Sequence, residues 1–178
     1  QYGCLYELTD QTADTYEDDV PEEMKKQCGE RIALVREMIR YGVLKACTNA
    51  FYGGGGSTRP RVNAKITLPL LRRISRNLQA NHAKRITGIL EPGVKISTQP
   101  VEAAYMVFAH TDAESDIRDL PGFKHVASRK VSSPYEIGSC ENYRFILSPE
   151  LAPYANAGAD IGATGLYSTG GVKVDVYP

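Results

Sequence analysis

Apolar residues recur every third or fourth position from Met24 through Cys28, Ile32, Val35, Ile39 and Val43 to Cys47, which predicts one stripe along a single long helix. Asp19 stands where a helix cap is wanted, Pro21 fits the first turn, and Glu22 and Glu23 put negative charge at the positive end of the helix dipole. A helix over residues 22–50 would span on the order of 40 Å at about 1.5 Å per residue, with Gly42 weakening it by roughly 1 kcal/mol relative to Ala. Gly53, Gly54, Gly55 and Gly56 end the pattern and are expected to form a flexible hinge, followed by an extended STRPR connection. A second helix is predicted from a cap at Thr67, with Pro69 in its first turn and Leu71, Ile74 and Leu78 on its buried side.

Strand patterns lie on either side. The opening YGCLYEL alternates Tyr2, Cys4, Tyr6 and Leu8 against Gly3, Leu5 and Glu7, and VKVDVY alternates Val172, Val174 and Val176 against Lys173, Asp175 and Tyr177. The runs YMVFA at residues 105–109 and YRFILS at 143–148 have the length and apolar composition of buried strands. Between them, His110-Thr111-Asp112 leads into a short helix carrying Ile117 and Leu120, which Pro121-Gly122 stops. Helices and strands in this order predict an α+β protein, with no internal repeat.

Charge changes the picture more than composition does. The 178 residues are 42% hydrophobic, enough for a real core, and no stretch approaches the roughly 20 apolar residues that cross a bilayer, so no membrane partner is expected. Twenty-one basic and 21 acidic side chains cancel, yet they are sorted. Residues 1–23 hold eight acids (Glu7, Asp10, Asp14, Glu17, Asp18, Asp19, Glu22, Glu23) and no base, whereas residues 59–85 hold eight bases (Arg59, Arg61, Lys65, Arg72, Arg73, Arg76, Lys84, Arg85) and no acid. Such polarity suits head-to-tail contact between identical subunits, or, on the basic side, sequence-blind contact with phosphates. Arg72, Arg73, Arg76, Lys84 and Arg85, with Asp14, Glu17, Asp18 and Asp19, are therefore the candidate interface or DNA-facing charges.

Catalytic, cofactor and metal chemistry finds no pattern to rest on. Four glycines invite a phosphate-loop reading, but G-x-x-x-x-G-K-[ST] needs a Lys and a hydroxyl opening a helix, and here STRPR comes next. Asp112, Glu114, Asp116 and Asp119 lack the glycine and distant Glu of a calcium loop, and acids at a helix start explain them. His82, His110 and His125 have no H-x-x-x-H partner, and Ser139 is not in G-x-S-x-G. Cys4, Cys28, Cys47 and Cys140 form no C-x-x-C pair and are expected to be reduced, buried thiols. Catalytic residues, cofactor and metal are all expected to be none. Two alternative functions remain open on the residues: a nucleic-acid packaging or accessory protein using the Arg72 and Arg76 face, and a small phosphate-binding enzyme using the glycine loop.

Several words of sequence, in their order, resemble the major capsid protein of tailed bacteriophages: QYGCLYELTD, TNAFYGGGGSTR, LRRISRNLQANHAKRITG, YMVFAHTDAESDIRDLPGF and EIGSCENYRFILSPEL. The likeness is to the Hong Kong phage coat fold, in the subgroup of large-virion podoviruses and their prophages. It implies residues 1–20 as part of an extended loop, 21–56 as the spine helix of a peripheral domain with its glycine hinge, and 57–178 as an α/β axial domain with a return toward the peripheral domain. It further implies a structural, non-enzymatic subunit that forms hexamers and pentamers of itself, assembles in the bacterial host cytoplasm and ends in the virion capsid. Packaged double-stranded DNA would be touched only by non-specific contact. Because Gln1 is not an initiator, the chain is expected to be a portion of a longer polypeptide.

Overall fold

The computed structural model describes Gly3, Leu5, Tyr6, Glu7, Thr9 and residues 19–91, 97–128, 135–162 and 165–178. The chain divides into two compact units, Gln1–Thr48 and Asn49–Pro178.

In the first unit the predicted helix is α1, Val20–Lys45. It starts where the cap chemistry says: the Asp19 carboxylate accepts from the Glu22 amide at 3.2 Å, Pro21 sits in the first turn, and Lys45 lies in the last turn, where the dipole favours a cation. The helix stops five residues before the expected Ala50. Ala46 closes it by donating to the Gly42 and Val43 carbonyls, and Gly42 lies within continuous helix. Of the opening strand, Tyr2, Cys4 and Leu8 lie outside the described residues, and Leu5, Tyr6 and Glu7 belong to no helix or strand.

The second unit is α+β. Helix α2, Leu68–Ala80, follows an extended Thr67; strands β1, Ile86–Glu91, and β2, Ser97–Ala109, come next, then the short helix α3, Glu114–Arg118. Strands β3, Lys124–His125, β4, Glu136–Cys140, and β5, Tyr143–Leu147, complete a five-stranded sheet in the order β1-β2-β5-β4-β3. The sheet is mixed. β2 runs antiparallel to β1 and parallel to β5, while β4 is antiparallel to β5 and to β3.

Core packing follows the two periodicities. Tyr105, Val107 and Ala109 of β2 and Tyr143, Phe145 and Leu147 of β5 share one face, with Phe145 fully buried, and Leu71, Ile74 and Leu78 of α2 pack on it with Ile117 and Leu120. Two tyrosines opposite each other in the β2/β5 register fasten the helix. The Tyr143 hydroxyl accepts from Ser75 at 2.8 Å and donates to the Leu71 carbonyl at 3.0 Å, and Tyr105 donates to the Ala83 carbonyl at 3.1 Å. Burial accordingly raises the Tyr143 pKa. The helix exit is a Schellman turn: Ala83 N–H reaches the Leu78 carbonyl at 2.9 Å and His82 N–H the Gln79 carbonyl at 3.0 Å, with His82 at φ 54° where glycine is usual.

Three expectations are corrected. Thr67 occupies the cap position, but its side chain makes no capping bond, and its carbonyl accepts from the Leu71 amide instead. The run at 105–109, expected to be a buried strand, is a strand but is not buried throughout, since Phe108 is 58% exposed. The 172–177 run is no regular strand: it makes isolated bridges, Tyr154 with Val176 and Asp160 with Lys173, and Asp175 is as buried as Val174 and Val176. The physical cause is the Asp175 carboxylate, which takes main-chain donors from two other loop positions and so pulls inward at what the alternation makes an outward site.

Candidate functional site

The basic stretch from Arg59 to Arg85 does not present eight unpaired cations, because the fold brings acids to it from elsewhere. The β4–β5 turn carries Glu141, whose carboxylate accepts from Arg72 through Nε at 2.9 Å and through a terminal nitrogen at 2.6 Å, and this keeps the Arg72 pKa raised. Lys65 donates to Asp116 of α3 at 2.7 Å, a bond that raises the lysine pKa. Three further arginines lie on aromatic rings: Arg59 on Tyr154 at 3.6 Å, Arg73 on Phe51 at 5.2 Å and Arg85 on Tyr105 at 5.6 Å. Arg72 and Arg73 are therefore partly committed within the unit, whereas Arg76 and Lys84 are exposed. The expected single basic face becomes a sparser surface.

The four glycines form a packed turn in the second unit, downstream of the division between Thr48 and Asn49. Gly54, at φ 69°, sits so close to the Asn63 side chain that any Cβ would collide with its Oδ1, and a Cβ on Gly53 would stand 3.1 Å from the Ala64 carbonyl oxygen. The glycines lead into the 3₁₀ turn Arg59–Arg61 and an extended segment, not into the helix start that cradles a phosphate.

On the acidic side, Asp19 is spent as the α1 cap. Asp14, Glu17 and Asp18 lie outside the described residues. Along α1 no residue is buried. Ile32, Leu34, Met38, Ile39, Val43 and Leu44 are all counted among the exposed large apolar side chains, with Val43 70% exposed. Among the cysteines, Cys140 is buried, which raises its thiol pKa, Cys28 is half-buried and Cys47 is exposed, so the expectation of buried thiols holds for Cys140 alone of the described three.

Two features escaped the sequence. The first is a pair on the sheet face opposite the core: Arg144, alternating with Tyr143 and Phe145, sits 3.5 Å from Glu136, and both side chains are almost fully buried. The second is a groove of about 700 Å³ in the second unit, bounded by α2, residues 62–66, the second half of β2 and residues 174–178. At one end Tyr177 donates to Asp112 at 2.8 Å and packs its ring 5.5 Å from His110. Burial first, and the Asp112 carboxylate next, push the Tyr177 pKa well up. Nδ1 of His110 accepts from the Asp112 amide at 3.1 Å, so this trio fastens the carboxy-terminal segment to the start of the turn before α3.

Among the described residues no group of three or more His, Cys, Asp or Glu side chains is placed to hold a metal ion, and no helix is long and apolar enough to cross a membrane. No protein-family model matches the chain, and no curated protein matches it.

Proposed function

We propose that the chain is a structural subunit that associates with copies of itself, as a portion of a phage major capsid protein of the Hong Kong coat fold. In this reading α1 is the spine helix, residues 1–20 belong to the extended loop, residues 57–178 form the axial domain, and the assembled product is the icosahedral shell around packaged DNA. The observation that carries it is α1 itself. A 26-residue helix keeps six large apolar side chains exposed and buries none of its residues. Helices owe most of their stability to packing of an apolar face, so this one gains by contact with another copy. The sorted acids and bases favour such contact, and Arg76 and Lys84 supply at most sequence-blind attraction to DNA phosphates.

Electron microscopy with sedimentation of the purified chain over a range of salt tests the proposal. Rings or closed shells, with association weakening as salt rises, are expected. Replacing both Ile39 and Val43 by Glu should abolish association and leave the second unit folded. A monomer at every concentration and salt would overturn the reading.

A further inference from the structure

The groove of about 700 Å³ runs beside a stretch of β2 whose outer edge is unpaired. The ladder to β5 opens with the Tyr105 amide donating to the Asn142 carbonyl at 2.7 Å and closes with the Ser148 amide donating to the Ala109 carbonyl at 3.0 Å. Tyr105, Val107 and Ala109 therefore turn their main-chain groups to β5, and those of Met106 and Phe108 face the other way. On that side β1 pairs only as far as Ile86 opposite Ala104, and among the described residues no hydrogen bond engages the Met106 or Phe108 main chain. The groove walls are largely apolar, with Ile66 and Ile74 on the helix side and Val174 and Val176 on the carboxy-terminal side. Of the charged side chains in the lining, Lys65 and Asp116 bind each other, and Asp175 is held by the Asn156 and Thr169 amides. That leaves Lys84, which among the described residues makes no ion pair and stands two residues before the last β1 pairing position.

Two donor–acceptor sets on alternate residues, roughly 7 Å apart, match an extended main chain and no compact small molecule. Walls on two sides admit a single strand and exclude the edge of a second sheet. We propose that the groove docks an extended acidic segment of a different protein, which adds a strand to β2 at Met106 and Phe108. The free edge from Tyr105 to Ala109 takes about five residues, a span of about 17 Å at about 3.4 Å per residue. Alternate side chains of the guest are apolar and rest on the groove walls. The acid follows from charge: Lys84 offers its ammonium group at one end of the edge, within a stretch of eight bases and no acid from Arg59 to Arg85. The site lies wholly in the second unit, so the inference does not depend on association through α1.

Residue-resolved hydrogen exchange and calorimetric titration of the full chain test it, with the probe acetyl-Glu-Val-Thr-Val-Thr-Val-amide and its reversed sequence. One of the two should bind and, at saturation, slow the Met106 and Phe108 amides by at least about tenfold. N-methylating one alternating set of the probe's amides should weaken binding at least about tenfold, and methylating the other set should change it by less than about threefold. Exchanging the probe's Glu for Lys should cost about threefold at low salt and nothing at about 1 M salt. Phe108→Pro removes only an outward amide and leaves the β5 ladder whole, so it should weaken binding at least about tenfold, whereas Phe108→Thr should stay within about threefold of the parent. The methylated probes carry the test if Phe108→Pro misfolds. No binding of either probe up to about 1 mM would overturn the inference. Equal effects of the two methylated sets would do the same, since they mark a plain apolar pocket. So would amides already protected in the monomer, or protected by chain concentration alone with the probe unable to compete, which assigns the edge to a second copy. None of these failures touches the shell reading, and a chain that stays monomeric yet binds the probe removes that reading alone.

Discussion

Replacing Asp175 by Asn changes one oxygen for an amide group of the same shape, and the consequences can be worked out atom by atom. The Asp175 carboxylate, in a residue only 5% exposed, accepts from the Asn156 amide at 2.7 Å on one oxygen and from the Thr169 amide at 2.7 Å and hydroxyl at 2.5 Å on the other. Asn can present its oxygen to only one of these two positions, leaving an NH₂ group facing a main-chain N–H at the other. One buried donor without an acceptor costs about 1–3 kcal/mol, and loss of charge from the retained bond adds about 1 kcal/mol, so about 3 kcal/mol in total is expected at neutral pH. At a urea slope of about 2 kcal/mol per molar this moves the unfolding midpoint of the second unit down by about 1.5 M. Burial alone would raise the Asp175 pKa, but the hydrogen bonds from Thr169 and Asn156 outweigh it and hold the value below the ordinary carboxylate range. A pKa lower in the folded than in the unfolded chain gives stability that is complete above the unfolded value of about 3.9 and is lost as pH falls through the folded value. The gap between parent and Asp175→Asn should therefore be full at pH 7 and narrow at pH 3. Urea titrations followed by circular dichroism at the two pH values measure it. An equal gap at both would refute the reasoning, since the damage would then come from shape and not from the carboxylate.

Gly138→Ala should destabilise the second unit by at least about 2 kcal/mol, because the new Cβ would collide with the Lys124 carbonyl oxygen and lie 2.5 Å from Cζ of Phe123; an unchanged calorimetric Tm would show that β3 and β4 have room to spare. His82→Gly, at φ 54° in the Schellman turn after α2, should raise stability by about 1 kcal/mol in denaturant titration, and a loss would mean that the imidazole contributes more than the backbone strain costs. Arg144→Met leaves the Glu136 carboxylate buried without its guanidinium and should cost about 3–5 kcal/mol, whereas pairing it with Glu136→Leu should recover most of that; a double variant no better than the single would contradict the pair's role.

What the sequence discloses is what local chemistry decides. Asp19, Pro21, Glu22 and Glu23 announce the start of α1, and Pro69 with Leu71, Ile74 and Leu78 announces α2, because capping and one apolar stripe act within a few residues of themselves. The β5 strand is legible for the same reason, since Tyr143, Phe145 and Leu147 read as a core face without help. β4 is not legible: EIGSC looks like a loop until Arg144 from the neighbouring strand accounts for its buried Glu136 and Phe123 accounts for its glycine. The candidate charges fail in the same way. Nothing near Arg72 or Lys65 foretells that Glu141 and Asp116, 69 and 51 residues further on, will meet them. The open edge of β2 depends on where β1 stops pairing, which is a tertiary fact with no signature in YMVFA.

β2 serves two ladders in succession, joined to β1 through its first half and to β5 through its second. Among the described residues, the side chains it packs beneath α2, Tyr105, Val107 and Ala109, belong to the second half, and the buried Ala104 stands at the junction of the two ladders. The register of β2 against β5 is therefore set by residues beyond the Ile86–Ala104 pair and does not depend on how far the two arms of the β1–β2 ribbon extend on its other side.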